Sequence, residues 1–373
     1  ATTPTMADHA ASGRLTIDLE AIQTNWRALN ARTGASETGA VVKANAYGLG
    51  VAEVSLALWR AGARRFYVAQ TTEGAALRRR LPEADIVVMA PIFPEALAAA
   101  RASRLILALN DPLSLAQWRK DAVVHGDLAP ACLHIDTGMT RLGFDDAMLP
   151  GLWSDLTPNE RAAVVEVSSH LACADIPDHP ANRAQLRRFQ AATKPLPAAL
   201  RLSLANSSGI FIGQDYHFSC QRPGMALYGL NPLPSKPNPM QAVVMLEARI
   251  LQVRTLAHAE TVGYGATAAA PTGAKIATIA AGYADGLHRC LSENGVVFIG
   301  GRKAPILGRV SMDLTAVDVT DVSDRILEKA QYAEIIGPRQ TADNLAARAG
   351  TIGYEILTSL GDRYLRRYEG AAL

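Results

Sequence analysis

Short apolar runs alternate with helical patterns over the first two thirds of this 373-residue chain, and that alternation most restricts its fold. The strand candidates are 40–43, 65–69, 85–89, 105–109, 131–136, 164–170 and 200–204, with a weaker eighth at 218–222. Helical stretches such as 52–61, 73–81, 94–102, 112–119 and 180–193 lie between them. Strands that alternate with helices pair in parallel, and about eight such units over ~200–250 residues make a (β/α)8 TIM-type barrel. Residues 122–124 compete for a strand slot, which leaves the count open by one. The run Asn231-Pro232-Leu233-Pro234-Ser235-Lys236-Pro237-Asn238-Pro239 breaks the pattern, so residues 13–235 are assigned to the barrel. Beyond it, 242–256, 275–281, 296–299, 305–310, 314–319 and 332–336 read as strands joined by glycine turns, and only 342–349 and 355–360 look helical. Residues 240–373 are therefore a mainly β domain. Residues 1–12 read as a loosely held arm able to pack with it, and 15–18 as a short strand.

Composition removes several function classes. Net charge is +2, and the basic trio Arg78-Arg79-Arg80 sits in a helical pattern as a solvated face, so nucleic acid is a poor partner. The four cysteines are scattered without metal-type spacing, which implies no metal centre and suits a reduced, cytoplasmic protein. The first residues lack the apolar core of a signal peptide, and no stretch is long and apolar enough to span a membrane.

Active-site groups of a (β/α)8 barrel lie at the C-terminal ends of its strands. Lys43 closes the first candidate strand, Arg141 follows the fifth and His170 ends the sixth. Asn206-Ser207-Ser208-Gly209 follows the seventh, and Arg222-Pro223-Gly224-Met225 the eighth. Taken singly, each has an ordinary reading: a snorkelling lysine, a surface ion pair, a satisfied core histidine, a helix cap, a strand-end charge. Five polar groups at five mouths of one barrel are not a random placement. A lysine desolvated at such a mouth has a lowered pKa and attacks carbonyls as a Schiff-base nucleophile. Backbone N–H groups after strands seven and eight are a common phosphate site, which Ser207 and the amides around Gly224 and Met225 suit.

The string Val41-Val42-Lys43-Ala44-Asn45-Ala46-Tyr47-Gly48 closely resembles the pyridoxal-phosphate attachment segment of the alanine racemases. Similar segments follow in matching order over most of the chain: Asp136–Gly143, Ala205-Asn206-Ser207, Arg222–Leu230, Val262-Gly263-Tyr264-Gly265-Ala266-Thr267, and the stretches around Tyr283, Met312 and Tyr354. The resemblance implies that Lys43 carries pyridoxal 5'-phosphate. It implies that Tyr47, Ser207, Gly224, Met225 and Tyr354 hold the phosphate, with Asn206 in the same cofactor segment, and that Arg222 faces the pyridine nitrogen. By resemblance Tyr264, supplied by the partner of a homodimer, is the second base opposite Lys43, and His170 contacts Tyr264 and Arg222. The resemblance further implies that Arg141 binds substrate, that Met312 of the partner touches the substrate carboxylate, and that Tyr283 and Tyr354 narrow the entrance around a side chain as small as that of alanine. An arginine at the ring nitrogen cannot accept a proton, since its pKa exceeds ~12, so the ring stays a weak electron sink and rapid return of one proton is favoured. The implied enzyme is an alanine racemase concerned with D-alanine, whether in its biosynthesis as a peptidoglycan precursor or in its breakdown.

The chain also departs from the family's pattern. His134 stands where a lysine able to become a carbamate is common, so Asp136 or a bound anion is expected to orient Arg141 instead. Ser203 replaces a histidine, Pro223 an aromatic, Thr140 a glycine, Ser311 a cysteine and Gly353 an asparagine. The alternatives are a racemase of broader small amino acids such as serine, a decarboxylase or dehydratase of the same plan, and a non-enzymatic pyridoxal-phosphate carrier. A decarboxylase would place a carboxylate where Arg222 stands, a dehydratase would add a His/Cys metal pair, and a carrier would lack the β domain and Tyr264.

Overall fold

The computed structural model describes residues 11–370, and the expected arm lies, but for residues 11 and 12, outside them. Within these residues Ile22–Gln241 form one compact unit. The residues up to Ala21 and from Ala242 onward form the other.

The strand β1 (Gly13–Asp18) comes first and belongs to the second unit. In the first unit follow β2 (Glu37–Thr38), β3 (Ala40–Val41), β4 (Arg65–Val68), β5 (Asp85–Val88), β6 (Ile106–Leu109), β7 (Ala131–Asp136), the short β8 (Phe144–Asp145), β9 (Val164–Ser168), β10 (Arg201–Asn206) and β11 (Cys220–Arg222). Parallel pairing runs in the order β3-β4-β5-β6-β7-β9-β10-β11-β2. Strands β2 and β3 are two halves of one strand interrupted at Gly39, whose N–H reaches Gln221 O at 3.0 Å. One half pairs with the last strand and the other with β4, so the sheet closes as an eight-stranded parallel barrel. Closure puts side chains inside and helices outside, which is why every residue of β4 and β6 is buried. The helix Val51–Ala61 shows the outer layer, burying Val54, Ala57 and Leu58. Residues 122–124 are no strand: they lie in the helix Pro112–His125, whose start is capped by the Asp111 carboxylate accepting the Ser114 N–H.

The second unit continues with β12 (Val244–Thr255), β13 (Glu260–Val262), β14 (Ala268–Ala270), β15 (Lys275–Ile279), β16 (Val296–Ile299), β17 (Arg302–Pro305), β18 (Thr315–Asp318), β19 (Tyr332–Ile336) and β20 (Leu365–Glu369). The long β12 is its centre, pairing antiparallel with β1, β15 and β19. Strand β1 also runs parallel to β20, and its alternate residues Leu15 and Ile17 are fully buried. That burial places residues 13–18 with this mainly β unit rather than in the barrel to which the sequence pattern assigned them. Strands β13 and β14 form a separate hairpin around Tyr264. Among the described residues no helix is long and apolar enough to cross a membrane.

Candidate active site

The barrel's strand ends converge on a cavity of about 280 Å3. Lys43, Arg141, His170 and Arg222 line it, as does His134. Lys43 leaves β3 after Val42, and the four residues behind it, Ala44 to Tyr47, all adopt left-handed backbone angles with φ between 52° and 55°. None is glycine, so the turn is costly, at about 1–2 kcal/mol per residue. Buried contacts hold it in place: Ala46 and Tyr47 are sealed in the core, and the Tyr47 ring lies 4.6 Å from that of Tyr228. The Tyr228 hydroxyl in turn donates to Val41 O at 2.8 Å. Burial lowers the pKa of Lys43, the Arg141 charge lowers it further, and Glu73 opposes both.

Arg222 ends β11 and is almost wholly buried. Its guanidinium donates to Ser203 Oγ within β10 and to Ser169 O just after β9, and lies 6.0 Å above the Tyr67 ring. The His170 ring makes no hydrogen bond to Arg222, because the arginine's terminal nitrogens are directed at the two serines. Burial, then the charges of Arg222, Arg141 and Lys43, push His170 down to about 3. His134 is pushed down to about 4 by burial, Arg222 and Arg141, so both rings are neutral near pH 7. Asp136 does not turn to Arg141. Its carboxylate accepts the N–H groups of Gly138 and Met139 at 2.8 and 2.9 Å, and these bonds outweigh burial to hold it below the usual range.

Around the other rim, Asn206 Oδ1 accepts the Gly209 N–H and Ser207 Oγ accepts the N–H groups of Gly224 and Ala226 at 2.9 and 3.2 Å. The Gly224 amide is therefore already engaged by Ser207, while Met225, first in the turn Met225–Tyr228, has an amide without a partner inside that turn. A side chain at Gly224 would collide with the Tyr47 hydroxyl, so only glycine lets the phenol approach the backbone this closely.

The remaining sequence candidates are in the β-rich unit. Tyr264, Tyr283 and Met312 line one open groove together with Arg309, and all three are exposed, Tyr264 by 74%. Tyr354 lies in the helix Gly353–Thr358 and is not part of that groove.

Family models match both units: the alanine racemase N-terminal domain over residues 17–232 and the alanine racemase C-terminal domain over 243–368. The chain belongs to the alanine racemase family. It is 45% identical to an alanine racemase of Rhizobium meliloti over 97% of this chain and 98% of that one. It is 47% identical to one of Rhodospirillum rubrum over 96% of each. The structure is similar to the crystal structure of alanine racemase from Bartonella henselae with covalently bound pyridoxal phosphate, with a TM-score of 0.90 and 38% identity over 96% of this chain and all of that one.

The site fits that cofactor of the alanine racemases on its own chemistry. It offers an amine at the cavity, a fixed guanidinium on the same wall, and a hydroxyl-bearing corner where Tyr47 and Ser207 both meet Gly224. Three of the side chains lining the cavity are basic, Lys43, Arg141 and Arg222, and the single carboxylate there, Glu166, is fully buried and tied to Tyr67 at 3.0 Å and Arg65 at 3.5 Å. The excess of positive charge suits a phosphate and a carboxylate together. Glu166, Asn110 and Glu73 belong to none of the sequence motifs. Asn110 binds the His134 ring, and only the register of β6 against β7 brings them together. Glu73 had a sequence signal, an acidic residue in the first turn of the helix Thr71–Arg80.

Proposed function

We propose that this alanine racemase family chain interconverts L- and D-alanine by two-base proton transfer, with Lys43 on one face of Cα and the partner subunit's Tyr264 on the other. The observation that carries the reading is Lys43 itself, an amine with a lowered pKa in one cavity with Arg141, Arg222 and His170. Bound pyridoxal 5'-phosphate supplies an aldehyde for amines and a ring that draws electron density from Cα. Lys43 would hold the cofactor through its amine, and its Nζ, when not so engaged, would take or return the Cα proton. Arg222 would be among the residues that hold the cofactor ring, and as a permanent cation it would not accept a proton from it, which would leave the ring a weak electron sink. Ser207, Tyr47, Met225 and Tyr354 are assigned to the phosphate, with Gly224 placing the Ser207 hydroxyl through its amide and Asn206 bracing the loop through Gly209. Arg141 is assigned to the substrate carboxylate, helped by Met312 from the partner, and Tyr283 narrows the approach.

A homodimer with shared sites belongs to this reading. It is supported by a phenol and a thioether side chain standing exposed on one groove of the β-rich unit, where an enzyme acting alone would have no use for them. We also place the protein in the cytoplasm, in keeping with four free cysteines.

The test follows alanine turnover in deuterated water after borohydride has located the cofactor on Lys43. Tyr264→Phe should lower racemisation by about 10²–10⁴-fold while Cα exchange continues in one enantiomer. Equal loss of exchange in both enantiomers would remove the two-base assignment.

A further inference from the structure

The left-handed turn behind Lys43 begins at Ala44, and the Ala44 N–H is not bonded within its own segment. It donates to Glu73 Oε1 at 2.7 Å, across 29 residues of sequence. The other oxygen of the same carboxylate accepts the N–H groups of Ala69 and Gln70, at 2.8 and 3.1 Å. A single side chain therefore ties the end of β4, the start of the helix Thr71–Arg80 and the first residue after Lys43 into one unit. The second residue of the turn is tied separately, by Asn45 Oδ1 accepting the Val51 N–H at 2.8 Å.

From this geometry we infer that Glu73 is a positioning residue for Lys43, its carboxylate clamping the Ala44 amide so that the lysine leaves the strand in one fixed direction. The inference rests on the proposed role of Lys43. Four consecutive non-glycine residues at φ near +53° form a conformation that the chain abandons unless its surroundings impose it. Tyr47 is anchored at the end of this run by Tyr228, whereas Ala44 at its beginning is exposed. Packing does not hold Ala44; its carbonyl accepts the Gly48 N–H at 2.8 Å inside the turn, and the charge-assisted bond from Glu73 is what ties its N–H to the neighbouring strand end. If Ala44 relaxes, the Lys43 Cα–Cβ direction turns with it, and a displacement of about 1 Å at a reacting atom is worth on the order of 10²-fold in rate. Substrate recognition through Arg141 lies on a different loop and is left intact.

Glu73→Gln keeps the size and one acceptor but cannot accept at both oxygens. The holoenzyme variant should lose about 10- to 100-fold in kcat with KM for alanine little changed. Hydrogen exchange of the peptide bearing Ala44 should quicken in the full-length chain, with and without cofactor. A comparison with Thr341→Ala, which removes the N-cap of the helix Ala342–Ala349 in the β-rich unit, separates lost stability from lost position. That variant should lower Tm without lowering kcat. If Glu73→Gln does not fold, the double variant Ala44→Gly/Glu73→Gln serves, because glycine takes the left-handed angles without strain. It should be stable and still slow.

Borohydride labelling of the wild type is done first. A label on a residue other than Lys43 overturns the reading of the lysine, and this inference with it. A label on Lys43, combined with wild-type kcat and unchanged Ala44 exchange in the Glu73 variants, overturns the role of Glu73 alone.

Discussion

The His134 ring donates its Nδ1 proton to Asn110 Oδ1 across 2.6 Å. The direction follows from the other end of the amide: Asn110 Nδ2 donates to Ala108 O at 3.1 Å, and a carbonyl can only accept. The remaining amide atom facing His134 is thus the oxygen, so Nδ1 carries the hydrogen. In a neutral ring Nε2 is then a bare acceptor, on a wall shared with Arg141 and Arg222.

Asn110→Asp puts a carboxylate against that Nδ1–H and should raise the His134 pKa toward neutrality. Protonation removes the Nε2 acceptor and adds a third positive charge beside the two arginines. The added charge attracts the substrate carboxylate, so KM for alanine should fall several-fold from pH 9 to pH 6 in the variant, whereas wild type changes little over that range. Nitrogen-15 spectra of the wild-type ring should show the Nδ1–H tautomer at both pH values. An Nε2–H tautomer would contradict the assignment.

Gly224→Ala should weaken cofactor binding, because its new Cβ collides with the Tyr47 hydroxyl. The backbone at Gly224 has φ −126°, so strain of the main chain plays no part. Removing the hydroxyl with Tyr47→Phe in the same chain should restore part of the lost stability, even though the phenol is assigned to the phosphate. Thermal unfolding and cofactor titration of the two variants separate the effects: Tm recovers in the double variant and affinity does not.

Two neutral histidines make stability fall with acid in a defined window. Unfolded histidines titrate near ~6.5, whereas His134 and His170 stay neutral in the fold down to about 4 and about 3. Below pH 6.5 the unfolded chain binds protons that the folded chain refuses, so stability is full above 6.5 and is lost as pH falls. The loss reaches at most ~1.4 kcal/mol per histidine for each pH unit. Asp136, Asp146 and Glu160, which are lowered in the fold, add their own losses only nearer pH 4. Urea unfolding of the cofactor-free chain at pH 7 and pH 5 should show the drop, and His134→Asn should reduce it.

The barrel was legible because each strand is an apolar run closed off by a helical pattern, and such runs are dictated by local burial. Where burial and hydrophobicity part company, the pattern misleads. Val123 and Val124 look like a strand yet lie exposed on the helix Pro112–His125. The opposite case is β17, whose Arg302 and Lys303 are exposed and polar; it forms because Gly300-Gly301 turn the chain back on β16. Leu15 and Ile17 announce a strand, but its neighbours β12 and β20 are set by contacts more than two hundred residues away. The site divides the same way. Residues at strand ends could be placed from the barrel plan, whereas Asn110 facing His134 depends on register and Glu73 on the turn behind Lys43. Nothing in Ala44-Asn45-Ala46-Tyr47 signals four left-handed residues, since no glycine marks them.

Thr140 offers a separate test of backbone strain close to the substrate arginine. It occupies φ 57°, in the left-handed region, with a β-branched side chain that is poorly suited to it. The loop imposes this angle from both sides: Asp136 accepts the N–H groups of Gly138 and Met139 just before it, and Gly143, at φ 117°, packs against the backbone of Ile135 and Asp136 just after it. Thr140 itself is exposed, so its side chain contributes little packing to offset the strain. Thr140→Gly relieves about 1–2 kcal/mol of strain against roughly 0.4–1 kcal/mol of added freedom in the unfolded chain. Stability should therefore rise by up to about 1 kcal/mol, read as a higher urea midpoint. The freed loop holds Arg141 less firmly, so KM for alanine should rise while kcat stays near wild type. A lower midpoint would mean that the threonine angle is comfortable, and a fall in kcat with unchanged KM would mean that Arg141 serves the chemical step rather than substrate binding.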